Sequence, residues 1–204
     1  HFNIFQENTL RYNFSKKIDI TANLNFQQSF FKFNDFSTNI FLLNPSLFLN
    51  IKKTGFGNFS LSYSENNTLP EVNQLTSNFQ LTDYRNFSQG TTYNKPLKNQ
   101  TTTLNYYIYN DEKRFSINTS VYYVNSKSIF NTISNLTNDF NFNSYIQTKG
   151  SNSYNFNFSF VNYVRKLKLA SKIETNNSWI TSPISVNSTE FLNAKSYSNS
   201  IKYS

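Results

Sequence analysis

The sequence predicts an all-β chain of about nine antiparallel strands that forms part of a large transmembrane β-barrel. Polar and apolar residues alternate with a period of two, short and long connections alternate, and Tyr and Phe cluster near strand ends. No segment keeps the 3.6-residue period of an amphipathic helix. No apolar run approaches the roughly 18–20 residues that a membrane-spanning helix needs. If the chain crosses a membrane, we therefore expect it to cross with strands.

The alternation places the strands and the connections along the chain. The predicted strands are residues 10–14, 18–26, 47–51, 58–63, 103–108, 115–123, 154–160, 167–174 and a last alternating segment that includes 197–203. Long loops are predicted at residues 64–100, 125–143 and 176–193, and a looser stretch at 27–44 holds several phenylalanines among polar residues. Pro45 is expected just before a strand, because proline is tolerated only at a strand start or on an edge. A soluble β-sandwich would also alternate, so the alternating connection lengths favour the barrel.

Charge and residue content narrow the function classes. The net charge is +8, but the basic residues are spread over the short turns, at Lys16, Lys17, Lys52, Lys53, Lys113, Arg114, Arg165 and Lys166. They are expected to line one rim of the sheet. A nucleic-acid-binding protein would concentrate such charge in one patch or carry a known module, and neither is visible. We predict no nucleic-acid partner.

The residue content argues against an enzyme. The chain has no Cys and a single His, His1, so it lacks the parts of a Ser-His-Asp triad, a Cys-His pair or a His-based metal site. The eleven acidic residues are scattered, and the adjacent pair Asp111 and Glu112 falls in a tight turn. We predict no enzyme activity, no cofactor and no metal site.

The long loop at residues 64–100 and its flanks carry a resemblance to a known family. The segments concerned are Ser62-Tyr63-Ser64, Leu69-Pro70-Glu71, Gln74-Leu75, Gly90 and Asn94-Lys95-Pro96-Leu97-Lys98. In order and spacing they resemble the barrel region of TonB-dependent outer-membrane receptors of the Bacteroidetes type. The match departs from the family pattern in three ways: residues 91–93 separate Gly90 from Asn94, Lys95 interrupts the Asn-Pro pair, and Asn99 stands where proline is usual. The resemblance covers about a quarter of the chain.

The resemblance implies a specific setting for residues 1–204. They would be a partial outer-membrane barrel domain, cut from a 22-stranded parent whose lumen is closed by a plug domain absent from this sequence. The long loops would be extracellular and the short basic turns periplasmic. The implied function is energised uptake of a bound nutrient, namely an oligosaccharide, a peptide or a metal chelate. The implied partners are outer-membrane lipids, the TonB system acting through the plug, and in some members a surface lipoprotein that acts as a lid.

The predicted loops contain five candidate ligand-binding residues. They are Asp83, Tyr84, Arg85, Tyr93 and Trp179, because aromatic and arginine side chains dominate recognition surfaces. No family motif assigns these positions a binding role, and loop packing is the alternative for each of them. Two other functions stay open: a passive porin or structural barrel, which would lack the plug, and a secreted adhesin-like β protein, which would lack a lipid-facing band.

Overall fold

A computed structural model describes residues 2–33, 36–54, 57–71, 74, 78–91, 95–137, 139–164, 166–186 and 190–204. The strands are β1 Phe2–Ser15, β2 Ile18–Phe33, β3 Phe36–Thr54, β4 Gly57–Thr68, β5 Gln80–Asp83, β6 Asn86–Gln89, β7 Leu97–Asn110, β8 Phe115–Ser126, β9 Ser128–Leu136, β10 Asn141–Lys149, β11 Asn152–Val164, β12 Leu169–Val186 and β13 Glu190–Tyr203. The prediction of an all-β chain is confirmed.

Nine strands form one antiparallel sheet, the main sheet. Its order is β1-β2-β3-β4-β7-β8-β11-β12-β13, so each strand pairs with the next main-sheet strand along the chain. The predicted number of strands is therefore confirmed for this sheet. Among the described residues, β1 and β13 pair with one neighbour each and not with one another, so the sheet is open.

A second sheet, the loop sheet, has the order β5-β6-β10-β9. Its strands come from the two connections β4–β7 and β8–β11. Strand β6 pairs with β10 in parallel, from Asn86 opposite Asn141 to Gln89 opposite Ser144. The prediction of polar loops at 64–100 and 125–143 was therefore wrong in part, because strands from each segment pair with strands from the other.

The looser stretch at 27–44 and the predicted loop at 176–193 are also largely strand. Strand β2 continues to Phe33 and β3 begins at Phe36, while β12 continues to Val186 and β13 begins at Glu190. These two hairpins extend past the neighbouring strands, because β4 pairs with β3 only from Ser46 onward and β11 reaches no farther than Thr181 on β12. Inter-strand hydrogen bonds hold such an extension even where the alternation of polar and apolar residues is lost.

The two prolines inside strands lie where one neighbour is missing. Pro45 was expected before a strand but lies within β3, opposite Leu24 of β2 and one residue before the pairing with β4 begins. Pro183, expected in a loop, lies within β12 opposite Asn193 and two residues beyond its pairing with β11. Proline has no N–H to donate to a neighbouring strand, and at both positions one of the two neighbouring strands is missing.

The register separates the main sheet into an apolar and a polar face. Cross-strand partners share a face and successive residues alternate between faces. The apolar face carries Leu10, Tyr12, Ile18, Ile20, Ala22, Leu47, Leu49, Ile51, Phe59, Leu61, Tyr63, Leu104, Tyr106, Ile108, Ile117, Val121, Tyr123, Tyr154, Phe156, Phe158, Phe160, Ile173, Trp179, Tyr197, Ile201 and Tyr203. Thr or Asn fills the intervening positions of β7, β8, β12 and β13 on this face.

The polar face consists mainly of Asn, Ser and Thr. Several of these side chains bond across strands: Asn23 Nδ2 donates to Ser46 Oγ at 3.2 Å, and Asn157 Nδ2 donates to Ser120 Oγ at 3.1 Å. Amides and hydroxyls both donate and accept hydrogen bonds, so the side chains of this face can bond to water as well as to one another. The predicted division into an aliphatic and aromatic face and a polar face is confirmed.

The buried residues of the described chain all lie at one end of the main sheet. They are Ser29, Leu42, Pro70, Ser88, Ile133 and Pro183. None of these buried residues belongs to the apolar face as defined above. All the side chains of that face are half-buried or exposed. Leu10, for example, is 72% exposed and Ile201 is 71% exposed. The protein core therefore lies around the loop sheet and the hairpin extensions, and no layer of the described chain covers the apolar face.

The short turns gather at the opposite end. The turns β1–β2, β3–β4, β7–β8 and β11–β12 all lie at this end because the strands alternate in direction. Lys16, Lys17, Lys113, Arg114 and Lys166 occupy them. Lys52 lies nearby, and its ammonium pairs with the Asp19 carboxylate at 2.5 Å. The predicted basic rim is thus present in the described residues; Arg165 lies outside them.

Candidate functional site

A tight turn joins β5 and β6 in the loop sheet, and hydrogen bonds to Asp83 hold it together. Asn86 Nδ2 donates to both carboxylate oxygens, at 2.7 and 2.6 Å, and the backbone N–H groups of Arg85 and Asn86 donate to Oδ1 at 3.1 Å. The bonds from the Asn86 side chain and the Arg85 backbone hold the pKa of Asp83 below its ordinary value. An aspartate that bonds the backbone two residues on is the usual device for such a turn. The Asp83 carboxylate is thus engaged within the turn.

The next two residues form the tip of the turn. Tyr84 is 84% exposed, and the guanidinium carbon of Arg85 lies 5.5 Å from the centroid of its ring. A cation over an aromatic face at this distance is attracted by the ring quadrupole. The pair therefore presents one flat amphipathic surface to solvent. The predicted residues Asp83, Tyr84 and Arg85 lie together, with the first holding the turn and the other two presented outward.

Four phenylalanines cluster beside this tip and were not singled out from the sequence. Phe87 stacks on Phe142 with ring centroids 5.3 Å apart, and Phe140 lies edge-on to Phe87 at 5.6 Å. Phe79 meets Phe142 edge-on at 6.0 Å and is 61% exposed. These four residues are called the phenylalanine cluster. Phe140 is also exposed, whereas Phe87 and Phe142 are half-buried, so the cluster is a candidate interaction surface.

Polar contacts join the two long connections beneath the cluster. Asn141 Nδ2 donates to Asn86 Oδ1 at 2.9 Å, and the Asn141 backbone N–H donates to the Arg85 carbonyl at 2.8 Å. Asn86 in turn donates to Asp83, so one chain of hydrogen bonds runs from the turn into β10. The turn, the tip and the phenylalanine cluster are therefore one connected structure.

Trp179 lies elsewhere, on the apolar face of the main sheet. It belongs to a row of aromatic side chains that runs across the strands on the side of the loop sheet: Tyr63, Tyr123, Tyr154, Trp179 and Tyr197. Tyr123 stacks on Tyr154 with centroids 4.6 Å apart, and Trp179 lies 5.3 Å from Tyr197. This set is called the aromatic row. The fifth predicted residue, Tyr93, lies outside the described residues.

A polar row follows the aromatic row toward the loop sheet. Its central members are Glu65, Gln100 and Asn125, which lie opposite one another on neighbouring strands. The Glu65 carboxylate receives Lys98 Nζ at 2.5 Å and Gln100 Nε2 at 3.0 Å, and its side chain is 14% exposed. Asn125 Nδ2 donates to Gln100 Oε1 at 3.3 Å. The apolar face therefore ends in an aromatic row and then in a row of hydrogen-bonded polar groups.

The segments that carry the family resemblance lie at the start and the end of the β4–β7 connection. Gln74 closes a turn there: its backbone N–H donates to the Glu71 carbonyl at 3.0 Å, and its side-chain oxygen accepts the Glu71 N–H at 3.0 Å. The Gln74 carbonyl accepts the Thr91 N–H at 2.8 Å, one residue after Gly90. Gln74 thus joins the segment that ends at Glu71 to the residue that follows Gly90; Leu75 and Asn94 lie outside the described residues.

The described part of the chain contains no helix with the length and apolar character of a membrane-spanning helix. Within the same residues, no group of three or more His, Cys, Asp or Glu side chains is arranged to hold a metal ion. No known protein family matches the chain, and no curated protein matches it.

Proposed function

We propose that the main sheet is part of the wall of an outer-membrane β-barrel, with its apolar face toward lipid and its polar face toward a water-filled lumen. The observation that carries this proposal is the bare apolar face, bounded by the aromatic row and the polar row. In water such a face would expose aliphatic and aromatic side chains of nine strands at a cost of roughly 25 cal/mol per Å². In a bilayer it is solvated by the lipid, and tyrosine and tryptophan are stabilised at the interface.

The height of the apolar band supports this reading. On β11 the apolar positions run from Tyr154 to Phe160 and are bounded by Asn152 and Asn162 on the same face. At about 3.3 Å per residue, Tyr154 to Phe160 spans about 20 Å along the strand, and the two flanking asparagines, Asn152 and Asn162, lie about 33 Å apart. For a strand tilted by about 40°, these lengths become about 15 Å and about 25 Å across the membrane, and the apolar band of outer-membrane barrels is about 25 Å tall.

A cysteine scan of β11 tests the orientation. The chain has no native cysteine, so single substitutions from Tyr154 to Phe160 can each carry one spin label. For the protein reconstituted in lipid, we expect labels at even-numbered positions to be relaxed by oxygen dissolved in the lipid and those at odd-numbered positions by a water-soluble nickel complex. Water access at every position, together with a monomer that stays soluble in plain buffer, would instead establish the adhesin-like alternative.

We further propose that this barrel belongs to a TonB-dependent transporter that takes up a bound nutrient, with the loop sheet on the extracellular side. Two observations support it: the motif segments of the resemblance flank the β4–β7 connection, and this connection supplies half of a folded loop sheet with an outward tip. An oligosaccharide, a peptide or a metal chelate would meet the Tyr84–Arg85 tip first. The basic rim would then face the periplasm, and a surface lipoprotein is a further proposed partner.

Conductance separates the transporter from the porin alternative. A barrel closed by a plug domain gives no steady current in a planar lipid bilayer, whereas a porin of the same wall conducts continuously. We also expect the purified parent protein, with its plug domain, to bind the periplasmic domain of TonB. A steady conductance without TonB binding would indicate a porin instead of a transporter. The proposal that the main sheet is part of a barrel wall would still hold.

A further inference from the structure

The outer edge of β9 differs from the other three sheet edges of the described chain. Strand β5 is four residues long, has an irregular register between Leu81 and Asp83, and ends in that acid. Strands β1 and β13 carry charged residues along their length. Short strands, irregular register and charge are the features that keep an edge from pairing with another chain. Strand β9 has none of them: its sequence, Ser-Ile-Phe-Asn-Thr-Ile-Ser-Asn-Leu, is uncharged and free of proline.

The geometry of β9 suits pairing. All nine residues, from Ser128 to Leu136, pair with β10 in an unbroken antiparallel register. Since β9 is the last strand of the loop sheet in the described residues, it presents a row of backbone groups on the side away from β10, from about Thr132 to Leu136. Its first residues approach β7, whereas Thr132 and the residues from Ser134 to Leu136 are exposed. An extended peptide can add to such an edge through main-chain hydrogen bonds.

Charges at the two ends of β9 select a direction for the added strand. Lys127 directly precedes β9, and Lys149 of β10 lies opposite Ser128; both side chains are exposed. Asp139 lies in the turn at the other end and is also exposed. An antiparallel partner would run from Leu136 toward Ser128, which brings its carboxyl end to the two lysines. A parallel partner would bring its ammonium end there and be repelled.

We propose that the outer edge of β9 binds an extended peptide in antiparallel orientation, with the carboxylate end of the peptide at Lys127 and Lys149. The class of partner is a peptide of about six to nine residues with a free or acidic carboxyl end and few other charges. Main-chain hydrogen bonds supply the binding, and alternate side chains of the peptide lie beside Thr132, Ser134 and Leu136. The inference goes beyond the proposed transport function, because it uses only the loop sheet and does not require a membrane.

A peptide copied from β10 is a suitable probe, because that sequence already pairs with β9. The probe is Asn-Phe-Asn-Ser-Tyr-Ile-Gln-Thr, residues 141–148, labelled at its amino end and carrying a free carboxylate. Binding to the full protein in detergent is measured by fluorescence anisotropy. The same peptide with an amidated carboxyl end should bind about two- to fivefold more weakly, as expected for one surface ion pair. Replacing both Lys127 and Lys149 by Gln should remove this difference.

Two matched variants locate the site. Thr132→Lys places a charge on the β9 edge at an exposed position and should weaken binding by about tenfold or more. Leu81→Lys places the same charge on the β5 edge, where the side chain is 64% exposed, and should leave binding unchanged. Hydrogen exchange of β9 amides should slow when the peptide is added. Equal binding to both variants, protection at another edge, no binding at all, or protection of β9 by self-association without peptide would each overturn the proposal, the last in favour of a second copy.

Discussion

Tyr123 and Tyr154 stack across β8 and β11 with ring centroids 4.6 Å apart, and both lie in the aromatic row. A stacked pair contributes about 0.5–1.5 kcal/mol beyond its burial. A double-mutant cycle with Tyr123→Leu and Tyr154→Leu should therefore give a coupling energy in that range, measured by unfolding of the lipid-reconstituted protein. Tyr63 and Tyr123 lie in the same row but are separated by Thr102, so their cycle should be additive within about 0.5 kcal/mol. A zero coupling for the stacked pair would contradict the geometry.

Charge on the two faces of β11 should have very different effects on stability. Phe158 lies near the middle of the apolar band and Asn157 on the polar face. In lipid, Phe158→Arg should destabilise the protein by about 2–4 kcal/mol, because an arginine at the bilayer midplane loses its hydration. Asn157→Arg adds the same side chain and should cost far less. Denaturant titrations of both variants in the same lipid provide the measurement, and equal losses would count against a lipid-facing band.

Trp179 and Tyr84 should have different roles, although both were predicted as ligand-binding residues. Trp179 lies in the aromatic row, so Trp179→Ala should lower the stability in lipid by about 1–2 kcal/mol and leave ligand binding unchanged. Tyr84 is 84% exposed at the tip, so Tyr84→Ala should leave stability unchanged and weaken binding of the transported nutrient. The free energy of unfolding and the affinity for the nutrient, both measured on the same samples of each variant, test this expectation. The opposite pattern would move the binding site to the main sheet.

The turn held by Asp83 should depend on pH in a defined direction. Its folded pKa lies below the ordinary carboxyl value of about 3.9, so its contribution is complete above that value and is lost as the pH falls through the folded pKa. Hydrogen exchange in β5 and β6 should therefore accelerate as the pH falls below about 4, beyond the intrinsic pH effect on exchange. Asp83→Ala should show fast exchange at every pH. Asp139→Ala removes another exposed turn acid and serves as the control, which should behave like the unchanged protein.

Gly150 joins β10 to β11 where no larger residue fits. A Cβ at this position would overlap the Ser126 carbonyl, and the Gly150 N–H donates to the Lys127 carbonyl at 3.1 Å. Gly150→Ala should therefore shift the base of the β9–β10 hairpin and destabilise the protein by about 1–3 kcal/mol. Thermal unfolding measures the loss, and hydrogen exchange should place it at β9 and β10. Ser151→Ala, one residue on, should change both readings little.

The sequence was sufficient for the main sheet because its signal is local. The alternation at Ile18–Phe26 and Tyr154–Phe160 follows directly from the pleat, and both segments are strands with the predicted faces. The extension of β2 beyond Phe26 was missed because Phe30 and Phe31 break the alternation. Hydrogen bonds between strands of a hairpin do not require an apolar face, so polar segments such as 176–186 also form strands.

The loop sheet was missed for a different reason. Its central pairing joins Asn86 to Asn141 in parallel, and nothing near either residue indicates a partner 55 positions away. A signal was present in the short patterns Asn86-Phe87-Ser88 and Asn141-Phe142-Asn143, which alternate as strands do but are too short to stand out. The phenylalanine cluster follows from that pairing, so it could not be predicted either. Tyr84 and Arg85 were predicted as ligand-binding residues because aromatic and arginine side chains dominate recognition surfaces, and the turn that presents them was not predicted.

The number of strands in the main sheet constrains any closed assembly that contains it. Successive strands run in opposite directions, so the first and the ninth, β1 and β13, run in the same direction. Joining these two edges directly would create a parallel seam in an otherwise antiparallel wall. A ring made only from copies of this sheet in one membrane orientation would repeat that seam at every junction. An antiparallel barrel that includes this sheet must therefore insert an odd number of additional strands between β13 and β1.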